Sequence, residues 1–151
     1  MTEPRLQLDR FLPYRLSILT NLVSSAIAGA YSQRFGLSIP EWRVMAVLAQ
    51  QSDLSAAQVA ERTAMDKVAV SRAVSRLLAR GRLERRTAPA DRRKSMLSLS
   101  NEGRNIYAEV VPVALRLERS LLAVLGEADR QALERILDTL LEHARTFGKH
   151  S

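Results

Sequence analysis

The chain has 151 residues, a length suited to one domain with helical extensions, and 46% of them are hydrophobic, which excludes a disordered chain. It carries a net charge of +7 and contains no cysteine, so disulfides, zinc–thiolate sites and thiol redox switches are excluded. No apolar run reaches the roughly 20 residues that span a bilayer, and the first nine residues lack a signal-peptide pattern. We therefore expect a cytoplasmic protein without a membrane segment.

The positive charge is concentrated in one segment. Between Arg62 and Lys94 the sequence has eleven basic and three acidic residues, a net charge of +8, which leaves −1 for the rest of the chain. A charge run alone is more often a solvated surface, but this one coincides with a structural motif. The concentration therefore predicts a polyanionic partner.

The first long helix is predicted to start near Asp9–Pro13 and to end at Gly36, with Asp9 as a candidate cap and Pro13 in the first turn. Its apolar residues form one stripe at helical spacing and a second row that widens the stripe: Leu12, Leu16, Leu19, Val23 and Ile27, then Ile18, Leu22 and Ala26. A helix that is apolar over so much of its circumference needs more than one packing partner. We favour the shared core of a dimer over the core of a monomer.

Three helix starts follow. Ser38 is expected to cap the next helix, with Glu41 reaching back in a capping box, and Ser55 opens a shorter helix in the same way. Asp66 caps the third helix after a brief turn at residues 63–65. Two short helices joined by a tight turn, with basic residues on the second, predict a helix-turn-helix.

The second helix of this motif has two different faces. The predicted core face carries apolar residues only: Val70, Ala73, Val74, Leu77 and Leu78. The opposite face carries mainly polar and basic residues: Val68, Ser71, Arg72, Ser75 and Arg76. Arginine can bond guanine bidentately, and serine can bond a base or a phosphate, so this face suits a DNA groove.

The hydrophobic period changes after the helix-turn-helix. Residues 83–87 and 96–100 alternate as short strands do, and the charged segment 88–95 is predicted to be the turn between them. A β-hairpin directly after a recognition helix is a wing. Its basic tip is suited to a minor groove, where the negative potential attracts arginine.

The remainder is predicted to be helical. A long helix opens at Ser100 or Asn101 and is expected to kink at Pro112; Gly126 ends it, and a last helix follows over residues 127–147. The chain has no glycine-rich phosphate loop, no GxSxG motif and no histidine–carboxylate cluster, so we predict no cofactor, no metal ligand and no catalytic residue.

Several stretches together resemble the MarR family of bacterial regulators. They are residues 34–44, residues 65–86, the wing Asp91-Arg92-Arg93, and residues 97–104, which read Leu-Ser-Leu-Ser-Asn-Glu-Gly-Arg. The order of an Asp-Arg-Arg wing, a strand ending in Leu-Ser and then Glu-Gly-Arg is the family's best signature. The likeness covers the chain from about Phe11 to Ala144.

The resemblance implies a mainly α-helical winged helix-turn-helix with a small β-hairpin. The whole chain, 1–151, would be one MarR-type domain, with the winged helix-turn-helix at about 38–100 and dimerisation helices at about 9–36 and 101–147. It implies a homodimeric, ligand-responsive repressor that binds a palindromic operator in double-stranded DNA. The residues expected at the DNA are Lys67, Val68, Ala69, Ser71, Arg72, Ser75, Arg76, Arg86, Asp91, Arg92, Arg93 and Lys94.

Within that set, Arg93 matches the family's wing arginine, Asp91 matches the acid that orients it, and Arg92 and Lys94 would add phosphate contacts. Val68 and Ala69 stand where a polar side chain is common in the family, and both are suited to the methyl group of thymine.

The family also implies an effector, commonly an aromatic acid or its thioester, in a cavity between the dimer helices and the winged domain. An arginine can hold a carboxylate, and aromatic side chains can stack on a ring. The candidates are Tyr14, Arg15, Tyr31, Trp42, Arg43 and Tyr107, although plain core packing is the simpler explanation for Trp42. The lack of cysteine excludes the branch of the family that senses peroxide through a thiol.

Two other classes of function stay open at this point. The basic helix could belong to an interaction module that binds an acidic protein, or distant carboxylates could converge in a small enzyme. Neither class explains why a charged hairpin follows a helix-turn-helix.

Overall fold

A computed structural model describes residues 3–88 and 91–150, apart from the side chains of Ala88, of residues 91–94 and of residues 149–150. The chain divides into two compact units, Met1–Ala114 and Leu115–Ser151. The described part is mostly helical with one antiparallel hairpin, which confirms the predicted fold class. Its elements are α1 (Leu12–Phe35), α2 (Ile39–Gln50), α3 (Ala56–Thr63), α4 (Lys67–Ala79), β1 (Leu83–Ala88), β2 (Asp91–Leu99), α5 (Asn101–Leu122) and α6 (Glu127–Ala144).

Side-chain caps start the three helices of the winged domain as predicted. The Ser38 hydroxyl accepts a hydrogen bond from the Glu41 backbone N–H at 3.2 Å. Ser55 and Gln58 form a complete capping box, with bonds of 3.2 and 2.9 Å. The Asp66 carboxylate accepts from the Val68 N–H at 2.7 Å. Each cap satisfies a backbone donor that the helix itself leaves unpaired.

Three predictions about helix ends were wrong. Asp9 does not cap α1, because it lies within a short 3₁₀ turn, Leu8–Arg10, and α1 begins after Phe11 without a side-chain cap. Glu41 does not complete a capping box, because its carboxylate is buried and faces Arg76 instead. The last helix ends at Ala144, three residues earlier than predicted, and a 3₁₀ turn begins at Phe147.

The core of the first unit lies among α2, α3, α4 and the hairpin. α4 contributes its predicted apolar face, of which Leu78 alone is only partly buried, and α5 adds Ile106 and Val110. The loop before α3 also joins the hairpin, since Leu54 and Leu97 exchange backbone hydrogen bonds of 3.2 and 2.7 Å. Because its apolar face packs in the core, the opposite side of α4 is exposed.

The hairpin is longer than predicted. β2 begins at Asp91 rather than near residue 96, so five residues assigned to the turn belong to the strand. Leu83 pairs with Leu99 and Arg85 with Leu97, and the register shifts next to Thr87. Backbone pairing in a ladder does not require apolar side chains, which is why alternation of hydrophobicity missed the charged part of β2.

Ser100 was predicted both to end the second strand and, with Asn101 as the alternative, to open the next helix. It lies buried between β2 and α5 and opens α5, because its carbonyl accepts from the Arg104 N–H at 2.9 Å. Its hydroxyl donates to the Gly81 carbonyl at 2.6 Å and accepts from the Gly103 N–H at 3.0 Å. Ser100 thereby ties the end of the recognition helix, the wing and the start of α5 together.

Long apolar faces are left uncovered in each unit. In the first unit, residues 11–22 are exposed throughout and include Phe11, Leu12, Leu16, Ile18, Leu19 and Leu22. In the second unit, α6 exposes Ile136, Leu137, Leu140 and Leu141. α5 continues past Pro112 to Leu122. Across the described residues, no helix combines the length and apolarity needed to cross a membrane.

Candidate nucleic-acid interface

The helix-turn-helix consists of α3, a tight turn and α4. Ala64 ends α3 in the left-handed region, at φ 53°, and Asp66 caps α4 two residues later. Val59 and Ala60 of α3 are buried in the same core as Val70 of α4. Apolar packing on one side therefore fixes the angle at which the recognition helix presents its other side.

The exposed side of α4 is the face that the sequence assigned to DNA. Ala69 is half-buried, and the other members of that set on this helix are exposed: Lys67, Val68, Ser71, Arg72, Ser75 and Arg76. Val68 is 56% exposed, which is unusual for a valine at the start of a helix but suits contact with an apolar group on the partner.

The wing carries positive charge along β1. Arg85 and Arg86 are exposed, and the Arg86 guanidinium lies 3.0 Å from the Asp53 carboxylate, so Arg86 is held at the base of the wing. Asp53 has a left-handed backbone at φ 59° and was not predicted as part of the site. The predicted wing contacts Asp91, Arg92, Arg93 and Lys94 lie outside the described side chains.

A notch separates the beginning of α2 from α4. It has a volume of about 230 Å³ and is lined by Ser38, Pro40, Glu41, Ala69, Arg72, Ala73 and Arg76. The Glu41 side chain is only 3% exposed, and its Oε1 lies 3.9 Å from Nη1 of Arg76. Among the described residues, Glu41 Oε2 has no hydrogen-bond partner. A buried carboxylate behind the recognition helix was not predicted, because its sequence position looked like a helix cap.

Three of the predicted effector residues form an aromatic stack. The Trp42 ring lies 5.6 Å from Tyr31 and 5.3 Å from Tyr107, with interplanar angles of 27° and 21°. Burial raises the pKa of Tyr31 above its ordinary value of 10.0, and the neighbouring Arg43 guanidinium opposes that rise. A separate cavity of about 240 Å³ is lined by Tyr107, Leu48 and Arg104, among other residues.

Of the three remaining candidates, Arg43 neighbours Tyr31, whereas Tyr14 and Arg15 lie far from the stack. Tyr14 and Arg15 are in the first turn of α1, and Tyr31 is in its last turns. At 1.5 Å per residue, the helix separates Arg15 from Tyr31 by about 24 Å. One small molecule therefore cannot contact both groups within one chain.

The described residues contain no group of three His, Asp or Glu side chains that could hold a metal ion. The polar side chains that α4 exposes include arginine and serine donors. Such donors bind phosphates and base edges.

Comparisons with known proteins agree with this geometry. The MarR family model matches residues 35–94, which span the helix-turn-helix and most of the wing. No match was found among curated proteins. A MarR/EmrR family transcriptional regulator from Acinetobacter sp. ADP1 is 28% identical, with a TM-score of 0.83 over 93% of this chain and 99% of the other.

Two further solved structures are similar. BpsR from Bordetella bronchiseptica, whose DNA binding is regulated by 6-hydroxynicotinic acid, is 26% identical, with a TM-score of 0.78 over 91% of this chain and 97% of the other. The repressor CouR, bound to a 23-mer DNA duplex, is 24% identical, with a TM-score of 0.75 over 93% and 99% of the two chains. Residues 35–94 therefore match the MarR family of transcriptional regulators, and the winged helix-turn-helix fold of this chain is similar to that of solved MarR-family regulators.

Proposed function

We propose that the protein is a repressor that binds a palindromic operator as a homodimer in the cytoplasm. The observation that carries the proposal is the exposed face of α4, where Ser71, Arg72, Ser75 and Arg76 project from a helix that is packed from behind. The recognition helix enters a major groove, and the wing enters the adjacent minor groove. Two such subunits related by a two-fold axis would read half-sites about 10 bp apart.

The homodimer is supported by the uncovered apolar faces of α1 and α6. A single chain leaves Leu22 67% exposed and Leu141 52% exposed, although contiguous apolar patches of this size are rare on monomers. A second copy offers the same apolar surface in return, as a two-fold interface requires. The proposal thus accounts for both faces with one partner.

We also propose that an aromatic acid, free or as a thioester, releases the operator. The Tyr31–Trp42–Tyr107 stack offers aromatic faces, and Arg43, at hydrogen-bonding distance from Ser24 (3.4 Å), is the nearby cation for a carboxylate. The regulation of BpsR by 6-hydroxynicotinic acid is a precedent in a similar fold. Tyr14 and Arg15 belong to this proposal only as parts of a site shared between two protomers.

The experiment is an anisotropy titration of the full chain with the DNA upstream of its own gene, at two salt concentrations and with nonspecific competitor. We expect tight binding that weakens steeply with salt and resists competitor. Arg72→Ala should cost about 1–3 kcal/mol and relax sequence preference. Arg119→Ala, which removes the same charge from an exposed position on α5, should leave the preference unchanged.

Weak binding that competitor abolishes would overturn the operator proposal. It would favour the alternative in which the basic helix binds an acidic protein. An unchanged sequence preference in Arg72→Ala would refute the base-reading role of Arg72 while leaving the protein a DNA binder.

A further inference from the structure

One unusual charged group among the described residues is the Glu41 carboxylate. It lies at the floor of the notch between α2 and α4, almost fully buried, with Oε2 unpaired among the described residues. Burying a carboxylate without a partner is costly, so such groups persist where a cation compensates them. The cation at Glu41 is Arg76 of the recognition helix.

The Glu41 and Arg76 side chains form a long ion pair. The distance of 3.9 Å between Glu41 Oε1 and Arg76 Nη1 is an ion-pair contact, but it is longer than a hydrogen bond. The Arg76 side chain is 68% exposed, so it remains largely accessible to a partner. A guanidinium has five donors in a planar fork, so one edge can approach Glu41 while the other remains available to DNA.

We propose that Glu41 is a positioning residue for DNA reading. It holds the guanidinium of Arg76 against the notch, so that the remaining donors point at the groove before DNA arrives. This inference rests on the proposed function and adds to it a residue that has no direct contact with DNA. A free arginine loses side-chain entropy on binding, and holding it beforehand reduces that loss.

A carboxylate near DNA also weakens binding through repulsion, so the two roles of Glu41 predict opposite changes in operator affinity when it is removed. Glu41 repels phosphates, so neutralising it raises the attraction to any DNA. If Glu41 merely competed with DNA for Arg76, its removal would tighten binding to the operator as well. If it positions Arg76, its removal weakens specific binding relative to nonspecific binding.

The experiment starts from the full-length protein and a library of duplexes with about 30 random base pairs, enough for two half-sites. The most enriched duplex and a scrambled version are then titrated against wild type, Glu41→Gln, Arg76→Ala and the double variant. We expect Glu41→Gln to lower the ratio of specific to nonspecific affinity by about tenfold, part of the discrimination of one bidentate contact. In the Arg76→Ala background the same change should leave that ratio unaltered.

Glu61→Gln is the matched control, because it removes one negative charge from an exposed position on α3 of the same helix-turn-helix. It should move specific and nonspecific binding together and leave their ratio unchanged. Arg76→Lys covers the case in which Glu41→Gln does not fold. It alters an exposed side chain, keeps its charge and removes the planar fork, so it should lower the ratio as Glu41→Gln does.

A wild-type protein that enriches no sequence overturns both the proposed function and this inference. A wild type that selects an operator, together with a Glu41→Gln variant whose ratio is unchanged or higher, overturns the inference alone. So does a Glu41→Gln effect that persists without Arg76, because Glu41 would then act through the fold rather than through the arginine. If the Glu41→Gln variant does not fold, Arg76→Lys tests the inference instead. An unchanged ratio of specific to nonspecific affinity in Arg76→Lys then overturns it.

Discussion

Gly103→Ala adds only one methyl group, but it should lower the unfolding free energy of this chain substantially. Gly103 is buried near the start of α5, and a Cβ there would lie 2.2 Å from the Arg82 carbonyl oxygen and 3.2 Å from Leu99 Cδ2. The first distance is about 1 Å shorter than a carbon–oxygen contact tolerates, and the obstacle is backbone rather than a flexible side chain. The start of α5 must therefore move away from the entry to β1.

That movement disrupts a network of short bonds. The Arg82 carbonyl already accepts from the Ser100 N–H at 3.0 Å, and Ser100 connects onward to Gly81 and Gly103. Overpacking costs about 1–3 kcal/mol, and loss of one hydrogen bond adds about 1 kcal/mol. The better helix propensity of alanine returns at most about 1 kcal/mol. The expected net loss of unfolding free energy is about 1–4 kcal/mol.

The assay is urea unfolding followed by far-UV circular dichroism, at matched protein concentration because a dimer's stability depends on it. Gly29→Ala is the control, since no atom lies within 4 Å of the added Cβ in the middle of α1. It should be neutral or stabilising by up to about 1 kcal/mol. A loss below about 1 kcal/mol for Gly103→Ala would refute the packing argument.

Three further predictions test other parts of the chain. Because burial raises the pKa of Tyr31, the tyrosine ionises first in the unfolded chain, so the unfolding free energy should fall as the pH rises above about 10. Tyr31→Phe should lessen that fall, and an equal decrease of the unfolding free energy with pH in both proteins would contradict the prediction. Ser55→Ala should lower the unfolding free energy in urea by about 1 kcal/mol by removing the α3 cap, whereas Ser120→Ala on exposed α5 should not. Leu16→Glu should yield monomers in sedimentation, whereas Ala57→Glu on exposed α3 should not, and an intact Leu16→Glu dimer would exclude this part of α1 from the interface.

The sequence was sufficient to predict the features that are decided locally. The caps at Ser55 and Asp66 were predictable because each side chain bonds a backbone N–H two or three residues away. The two faces of α4 were predictable because burial follows the helical period, and Val70 and Leu77 are indeed buried while Arg72 is exposed. These inferences need no knowledge of the rest of the fold.

The features that the sequence did not predict depend on partners distant along the chain. Asp53 pairs with Arg86, and Leu54 bonds Leu97, and neither pairing leaves a local pattern. The charged start of β2 is paired through its backbone, so its side chains carry no strand signal. The contacts of Asp53 and Leu54 connect the wing to the loop before α3, and the sequence predicts the hairpin but not that connection.

Glu41 shows why a local rule and a functional site can compete for the same residue. At the third position after Ser38, a glutamate usually bonds back to the cap, a contact worth about 1 kcal/mol on the surface. Here the side chain is directed inward beneath Arg76, and the buried charge is costly unless the arginine compensates it. A chain selected only for stability would favour the cap. The departure from the local rule lies directly behind the recognition helix, as we expect if Glu41 holds Arg76 for DNA binding rather than for folding.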